Sequence, residues 1–296
     1  MSADIGRTVI EGFKADKYGG VDGWVEAEDD SRIYVKVRGV GSPLLVMGGV
    51  GSGVFTSEEI ADQFADKRML ISYDRRCTFR SSGNTESDFD IAQQCRDVLR
   101  ILEACNLSSV SVFATCASTS IALELLKSHP EIVDAMIVHD PLNFRVLSDA
   151  EVHIARFTEY HRITQEVGAV AGMGAFLADF ELPFPKEFQM RMRRDGRFMV
   201  LRELLPSISY LPDVEALRQH RNRIVMATGQ QCLEHRYSIA RTAQVLAEQV
   251  GCQFAVLPGN HTGYFHKPVA FAEAALRLIE SLPSFASDEF FDIIAT

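Results

Sequence analysis

The chain has little of what would send it out of a cell or into a membrane. No run of about 18 apolar residues occurs, which argues against a transmembrane helix. The opening stretch, "MSADIGRTVIEGFKADK", is too polar for a signal peptide, and the last residues spell no targeting address. Six cysteines (Cys77, Cys95, Cys105, Cys116, Cys232, Cys252) show no CxxC or ligand-like spacing. Reduced thiols in a cytoplasmic protein are therefore expected, and the plain reading of any one of them is a packed, inert side chain. There is no basic run either. The net charge of −10, from 30 Lys and Arg against 40 Asp and Glu, is spread along the chain, which suits a small or neutral partner better than nucleic acid or anionic lipid. Repeats and low-complexity segments are missing. "GGVGSG" (48–53) lacks both the Gly-Lys-Ser/Thr ending of a phosphate loop and an acidic ribose partner. No metal cluster stands out, and neither cofactor nor metal is expected.

What is present is a long, evenly mixed chain. With 296 residues, 47% of them apolar, it can build a substantial core, and one larger α/β domain carrying an insertion is the default. "WVEAEDD" and "RIYVKVRG" alternate apolar and polar residues around an Asp-Asp turn and predict an antiparallel hairpin. "PLLVMGG", "MLISYD", "VSVFA", "VDAMIVHD", "NRIVMATG" and "CQFAVLPG" are short apolar runs of the kind buried on both faces. Between them, "IAQQCRDVLRILEAC", "SIALELLKSH", "YSIARTAQVLAEQVG" and "PVAFAEAALRLIESL" carry helical spacing. Strand and helix in alternation predict a mostly parallel sheet with right-handed crossovers. Residues 145–218 break the rhythm with helix-like segments, an "LPFP" break and no convincing strand. They predict a helical lid over the carboxyl ends of the strands, leaving 1–144 and 219–296 as the two parts of the core. The short basic patch "RMRRDGR" (191–197) reads as a solvated face of that lid.

Four stretches in order carry a resemblance: the strand-turn-helix "VFATCASTS", the glycine-rich turn after "PLLVM", the segment "YDRRCTFRSS", and the late "PGNHTGYFHKPVAF". Together they resemble the α/β-hydrolase fold from about residue 24 to 282. Within it the pattern is most similar to the fungal lactone hydrolases of the zearalenone-degrading type and to bacterial "YDRRG" hydrolases. The resemblance implies a nucleophile at Cys116, where Ala114, Cys116 and Ser118 stand in for the usual Gly, Ser and Gly. Both flanking residues are small, so the strained turn is sterically open to them. A thiolate beside a helix N-terminus and a histidine is stabilised and strongly nucleophilic, and dienelactone hydrolases of this fold use Cys-His-Asp.

The histidine implied by the same resemblance is His261, in the loop after the last strand. The acid has two candidates. The loop after the penultimate strand, "TGQQCLEHR", has no Asp where one is usual, and Glu234 is its nearest carboxylate. The strand after the nucleophile helix ends "IVHDPLNF", and the lactone hydrolases carry their acid at this strand end, which makes Asp140 the favoured candidate. A turn cap before Pro141 is the structural reading of the same residue. An oxyanion hole needs two backbone N–H groups, expected from Ala117 and from Gly49 or Val50. Arg76 and Arg80 are expected to anchor their loop by ion pairs, and Cys77 replaces the glycine of "YDRRG".

Three functions follow: a Cys-His-Asp hydrolase of an ester or lactone, a non-hydrolytic enzyme of the same fold (cyclase, acyl transferase, dehydratase or carbon–carbon lyase), and a catalytically silent ligand-binding protein. Phe157, Tyr160, Phe176, Phe180 and Phe184 in the lid suggest an apolar, ring-containing, polyketide-like small molecule as substrate. No nucleic-acid or membrane partner is expected, and a homodimer is the assembly left open.

Overall fold

The computed structural model describes residues 20–50, 58–179 and 196–283. The N-terminal stretch, "LPFP", Phe180, Phe184 and most of the basic patch lie outside the described residues. Eight strands form one sheet. They are β1 (Val21–Glu26), β2 (Arg32–Arg38), β3 (Pro43–Met47), β4 (Met69–Tyr73), β5 (Val110–Thr115), β6 (Val133–His139), β7 (Ile224–Gly229) and β8 (Gln253–Leu257), in the order β1-β2-β4-β3-β5-β6-β7-β8. The hairpin predicted from alternation is there, with Val21 opposite Val37 and Glu26 opposite Arg32. β2 also pairs antiparallel with β4, and the remaining pairs, β4-β3, β3-β5, β5-β6, β6-β7 and β7-β8, are all parallel.

The helices of the first half are α1 (Glu58–Ala65), α2 (Ile91–Ala104) and α3 (Ser118–Ser128). α2 starts where Asp90 caps it, its carboxylate accepting from the amides of Ala92 and Gln93. Strand alternation sorts the apolar residues onto two faces. Leu45, Met47, Val112 and Ala114 meet Val98, Ile101 and Leu102 of α2 and Ile121 and Leu125 of α3 on one side. Leu44, Val46 and Phe113 meet Ile60 and Phe64 of α1 on the other, together with Phe271, Ala275 and Ile279. β5 and β7 are buried at every position, as their unbroken apolar character requires.

Between β6 and β7 lies a helical insertion with no strand among its described residues. It contains α4 (Ala150–Glu166), α5 (Ala169–Asp179), a π-helical turn (Met199–Glu203), α6 (Leu204–Ser209) and α7 (Val214–Arg218). Phe157, Tyr160, Met173, Phe176, Met199, Leu204 and Ile208 from this insertion gather over Cys116 and Ala117 in a third apolar cluster, apart from the two sheet faces. The chain ends through α8 (Gln230–Glu234), α9 (Ser238–Val250), α10 (Gly263–His266) and α11 (Pro268–Ser281). α1 and α8 are helices where the sequence showed no helical run; α8 occupies the stretch read as a loop. No helix among the described residues is long and apolar enough to cross a membrane.

Candidate active site

The site is built from four strand ends. β5 ends at Thr115, the chain turns sharply at Cys116, and α3 begins at Ser118. Cys116 has φ 60, the left-handed region that non-glycine residues seldom occupy. Its amide donates to His139 O at 3.1 Å, and its carbonyl accepts from the Thr119 amide and hydroxyl. The strained residue is thus held by the neighbouring strand β6 on its amide side and by the first turn of α3 on its carbonyl side, which is how such a conformation persists. Gly49, just past β3, is a glycine for a local reason: a Cβ there would lie 2.8 Å from Cys116 Cβ and 3.3 Å from its Sγ.

His261 sits in the loop between β8 and α10 and is 4% exposed. Asn260 folds this loop by accepting from the Thr262 amide and hydroxyl. The His261 side chain hydrogen-bonds Cys116 on one side, and its Nδ1 donates to Asp140 Oδ2 at 3.1 Å on the other. Burial would pull the imidazole below its ordinary value, but the charge of Cys116 and the hydrogen bond to Asp140 outweigh it and push His261 up to about 10.

Asp140 follows β6 with φ 45 and is fully buried. Its Oδ1 accepts from Thr228 Oγ1 at 2.5 Å and the Gly229 amide at 3.3 Å, and its Oδ2 from the Cys232 thiol at 3.6 Å. Burial alone would raise this carboxyl. His139, His261 and Thr228 together bring it down to about 2. Glu234 is not brought to His261: α8 turns it outward to solvent, where it accepts from Gln230 Nε2 at 2.9 Å.

Two further residues belong here that the sequence did not single out for this role. His139 lies under the triad-like array with its ring stacked on His261 at 6.1 Å, its Nε2 3.3 Å from Asp140 Oδ2 and its Nδ1 bonded to Thr115 Oγ1 at 2.9 Å. Burial lowers it to about 4, so it is neutral near pH 7 and works as a polar floor rather than a charge. Cys232 sits in α8, just after the penultimate strand; burial and then Asp140 push its thiol up, so it stays protonated and donates. Backbone geometry could have flagged neither.

The "YDRR" loop is pinned by ion pairs, as expected: Arg76 bonds Asp97 in bidentate fashion and Asp29, and Arg80 bonds Asp74. Cys77 has φ 65, which explains why this position suits glycine. It lines a cleft of about 540 Å³ with Thr85, Glu86, Phe198 and Arg202.

The strand order, the crossovers and the turn at Cys116 define the α/β-hydrolase fold, and the chain adopts it. No family model matches the sequence. An uncharacterized hydrolase of Bacillus subtilis, YraK, is 27% identical over 245 residues, 80% of this chain and 89% of that protein. An esterase from Exiguobacterium antarcticum superposes with a TM-score of 0.72 at 15% identity, covering 87% of this chain and 99% of the esterase. MGS-M2, an α/β hydrolase from a Medee basin deep-sea metagenome, gives 0.71 at 14% identity over 86% and 96%.

Proposed function

We propose that this protein hydrolyses an ester or lactone of an apolar small molecule, with Cys116 as nucleophile, His261 as acid and base, and Asp140 as the residue that orients His261. The observation that carries this reading is the unbroken chain from Cys116 through His261 to Asp140 at the ends of β5, β8 and β6. In this reading the proton of the Cys116 thiol passes to His261, whose ring the Asp140 carboxylate holds, and the sulfur attacks as thiolate. A carbon–sulfur bond forms at the carbonyl, and the resulting oxyanion is held by the amide of Ala117 and that of Gly49 or Val50. The carbon–oxygen bond then breaks, and His261 Nε2–H protonates the departing alkoxide. The ring, now neutral, takes a proton from water, whose oxygen attacks the thioester. The acid leaves, and thiolate and imidazolium return. Asp140 stays ionised throughout and fixes Nδ1 as the donor.

The insertion acts in this reading as the lid, and the aromatic group over Cys116 suits a ring-bearing substrate. Phe157, Tyr160 and Phe176 stand edge to face with centroids 5.3–6.0 Å apart. Beside them, Phe144, Arg156 and Tyr237 line a cleft of about 460 Å³. The hydrolase and esterase names of the similar proteins agree with this chemistry. A non-hydrolytic acyl transfer or cyclisation is the second reading, favoured by the burial of Cys116, which is 2% exposed and shielded from bulk water. Turnover of aryl esters and aryl-fused lactones in ¹⁸O-labelled water separates the two. Hydrolysis places one label in the acid product; an unlabelled, isomerised or transferred product refutes it.

A further inference from the structure

One buried guanidinium joins three parts of the site that lie far apart in the chain. Arg75 follows β4, is 1% exposed, and has Phe89 below it with the ring centroid 5.9 Å from its central carbon. Its Nη1 donates to the carbonyl oxygens of Gly48 and Gly49, the second at 2.6 Å, and to Ser118 Oγ at 2.5 Å. Three acceptors face two hydrogens, so one hydrogen is shared. Its Nη2 donates to Glu203, which is fully buried at the end of the π-helical turn, 128 positions away. Ser118 Oγ donates in turn to Gly48 O. This serine stands where the resembled families carry glycine, and its hydroxyl completes the grip.

The direction of the grip matters. The Gly48 carbonyl shares a peptide plane with the Gly49 N–H, and the Gly49 carbonyl with the Val50 N–H. No described peptide is cis, and in a planar trans unit the carbonyl and the N–H point in opposite directions. Holding both carbonyls from one side therefore turns both N–H groups to the other. Gly49 also abuts the Cys116 side chain. We infer that Arg75 is a positioning residue that aims the oxyanion-hole amides at the carbonyl bonded to Cys116, and that Glu203 couples this aim to the seating of the helical insertion. The inference rests on the hydrolase reading above. Two adjacent glycines would otherwise be free to rotate these peptides, and oxyanion stabilisation depends on dipoles already oriented before charge develops.

Two reagents that react with the same sulfur test it. Chloroacetamide is attacked at a saturated carbon, expels chloride and develops no carbonyl oxyanion. p-Nitrophenyl acetate forms a thioester, expels p-nitrophenolate and needs the hole. Arg75→Met paired with Glu203→Gln removes the grip without stranding a buried charge. It should slow acylation of Cys116 on the order of 100-fold while leaving alkylation within about threefold of wild type. Arg75→Lys keeps the charge but loses the fork and should fall between, as should Ser118→Ala. If the double variant does not fold, these two carry the test, each with acylation reduced at least about tenfold relative to alkylation. A parallel loss of both reactions, or an unchanged ratio, overturns the inference alone. Wild-type protein that alkylates at Cys116 but never acylates there overturns the hydrolase reading and the inference with it.

Discussion

Replacing Asp140 by Asn probes the array at its least exposed point, and hydrogen-bond directions fix the outcome. Oδ1 of Asp140 faces two donors, the Thr228 hydroxyl at 2.5 Å and the Gly229 amide at 3.3 Å. The amide N–H cannot become an acceptor, so an asparagine must place its oxygen there. Its NH₂ group then faces His261 Nδ1, which must accept instead of donate. That reverses the tautomer: the proton moves to Nε2, and the ring can no longer pair with Cys116 as imidazolium or take a proton from water. A wrong tautomer in an otherwise intact serine triad lowers kcat about 10⁴-fold, and a loss of about 10³–10⁴ is expected here. The assay is steady-state hydrolysis of p-nitrophenyl butyrate by Asp140→Asn, with thermal unfolding to show that the variant folds. Glu234→Gln is the control and should stay within about twofold of wild type, because its carboxylate is exposed and bonds Gln230 rather than His261. A folded Asp140→Asn that kept more than about a tenth of wild-type kcat would refute the reasoning.

Three further outcomes are expected. His261 is raised from 6.5 to about 10, so the ring already holds its proton across neutral pH and loses it only as pH climbs through about 10. Its ring nitrogens, followed by ¹⁵N NMR, should accordingly keep the protonated signature across neutral pH and lose it only near pH 10; a midpoint near 6.5 would count against the pairing of His261 with Cys116 and Asp140. Gly49→Ala puts a methyl 2.8 Å from Cys116 Cβ and should abolish acylation with little change in far-ultraviolet circular dichroism. Arg76→Met strands the Asp97 carboxylate, which is 1% exposed, and should cost about 3–5 kcal/mol, read as a fall in Tm of roughly 10 °C; an unchanged Tm would mean the pair adds nothing.

Much of this architecture is legible in the sequence because burial on both faces leaves a plain mark. "VSVFA" and "NRIVMATG" have no polar face to disguise them, and the hairpin shows itself through its alternation. The strand-end positions of Cys116 and Asp140 can be read for the same reason, since the end of an apolar run is also the end of a strand. Arg75 could not be read this way. The first arginine of "YDRR" looks like surface charge, and nothing nearby shows that Glu203 pairs with it from the far end of an insertion. His139 was visible only as a strand-end histidine; that its ring lies on Asp140 depends on the inward pleat of β6. α8 was hidden because five polar-rich residues carry no periodicity, yet it decides which carboxylate reaches His261 by turning Glu234 outward.

The most direct measurement is the intact mass of the protein during turnover of an activated ester, followed by peptide mapping. The account predicts a transient mass increase equal to the acyl group, located on the peptide containing Cys116, absent in Cys116→Ala, and long-lived when His261 is replaced by Ala after acylation has been forced with excess ester. An adduct on another residue, or full turnover by Cys116→Ala, would contradict it.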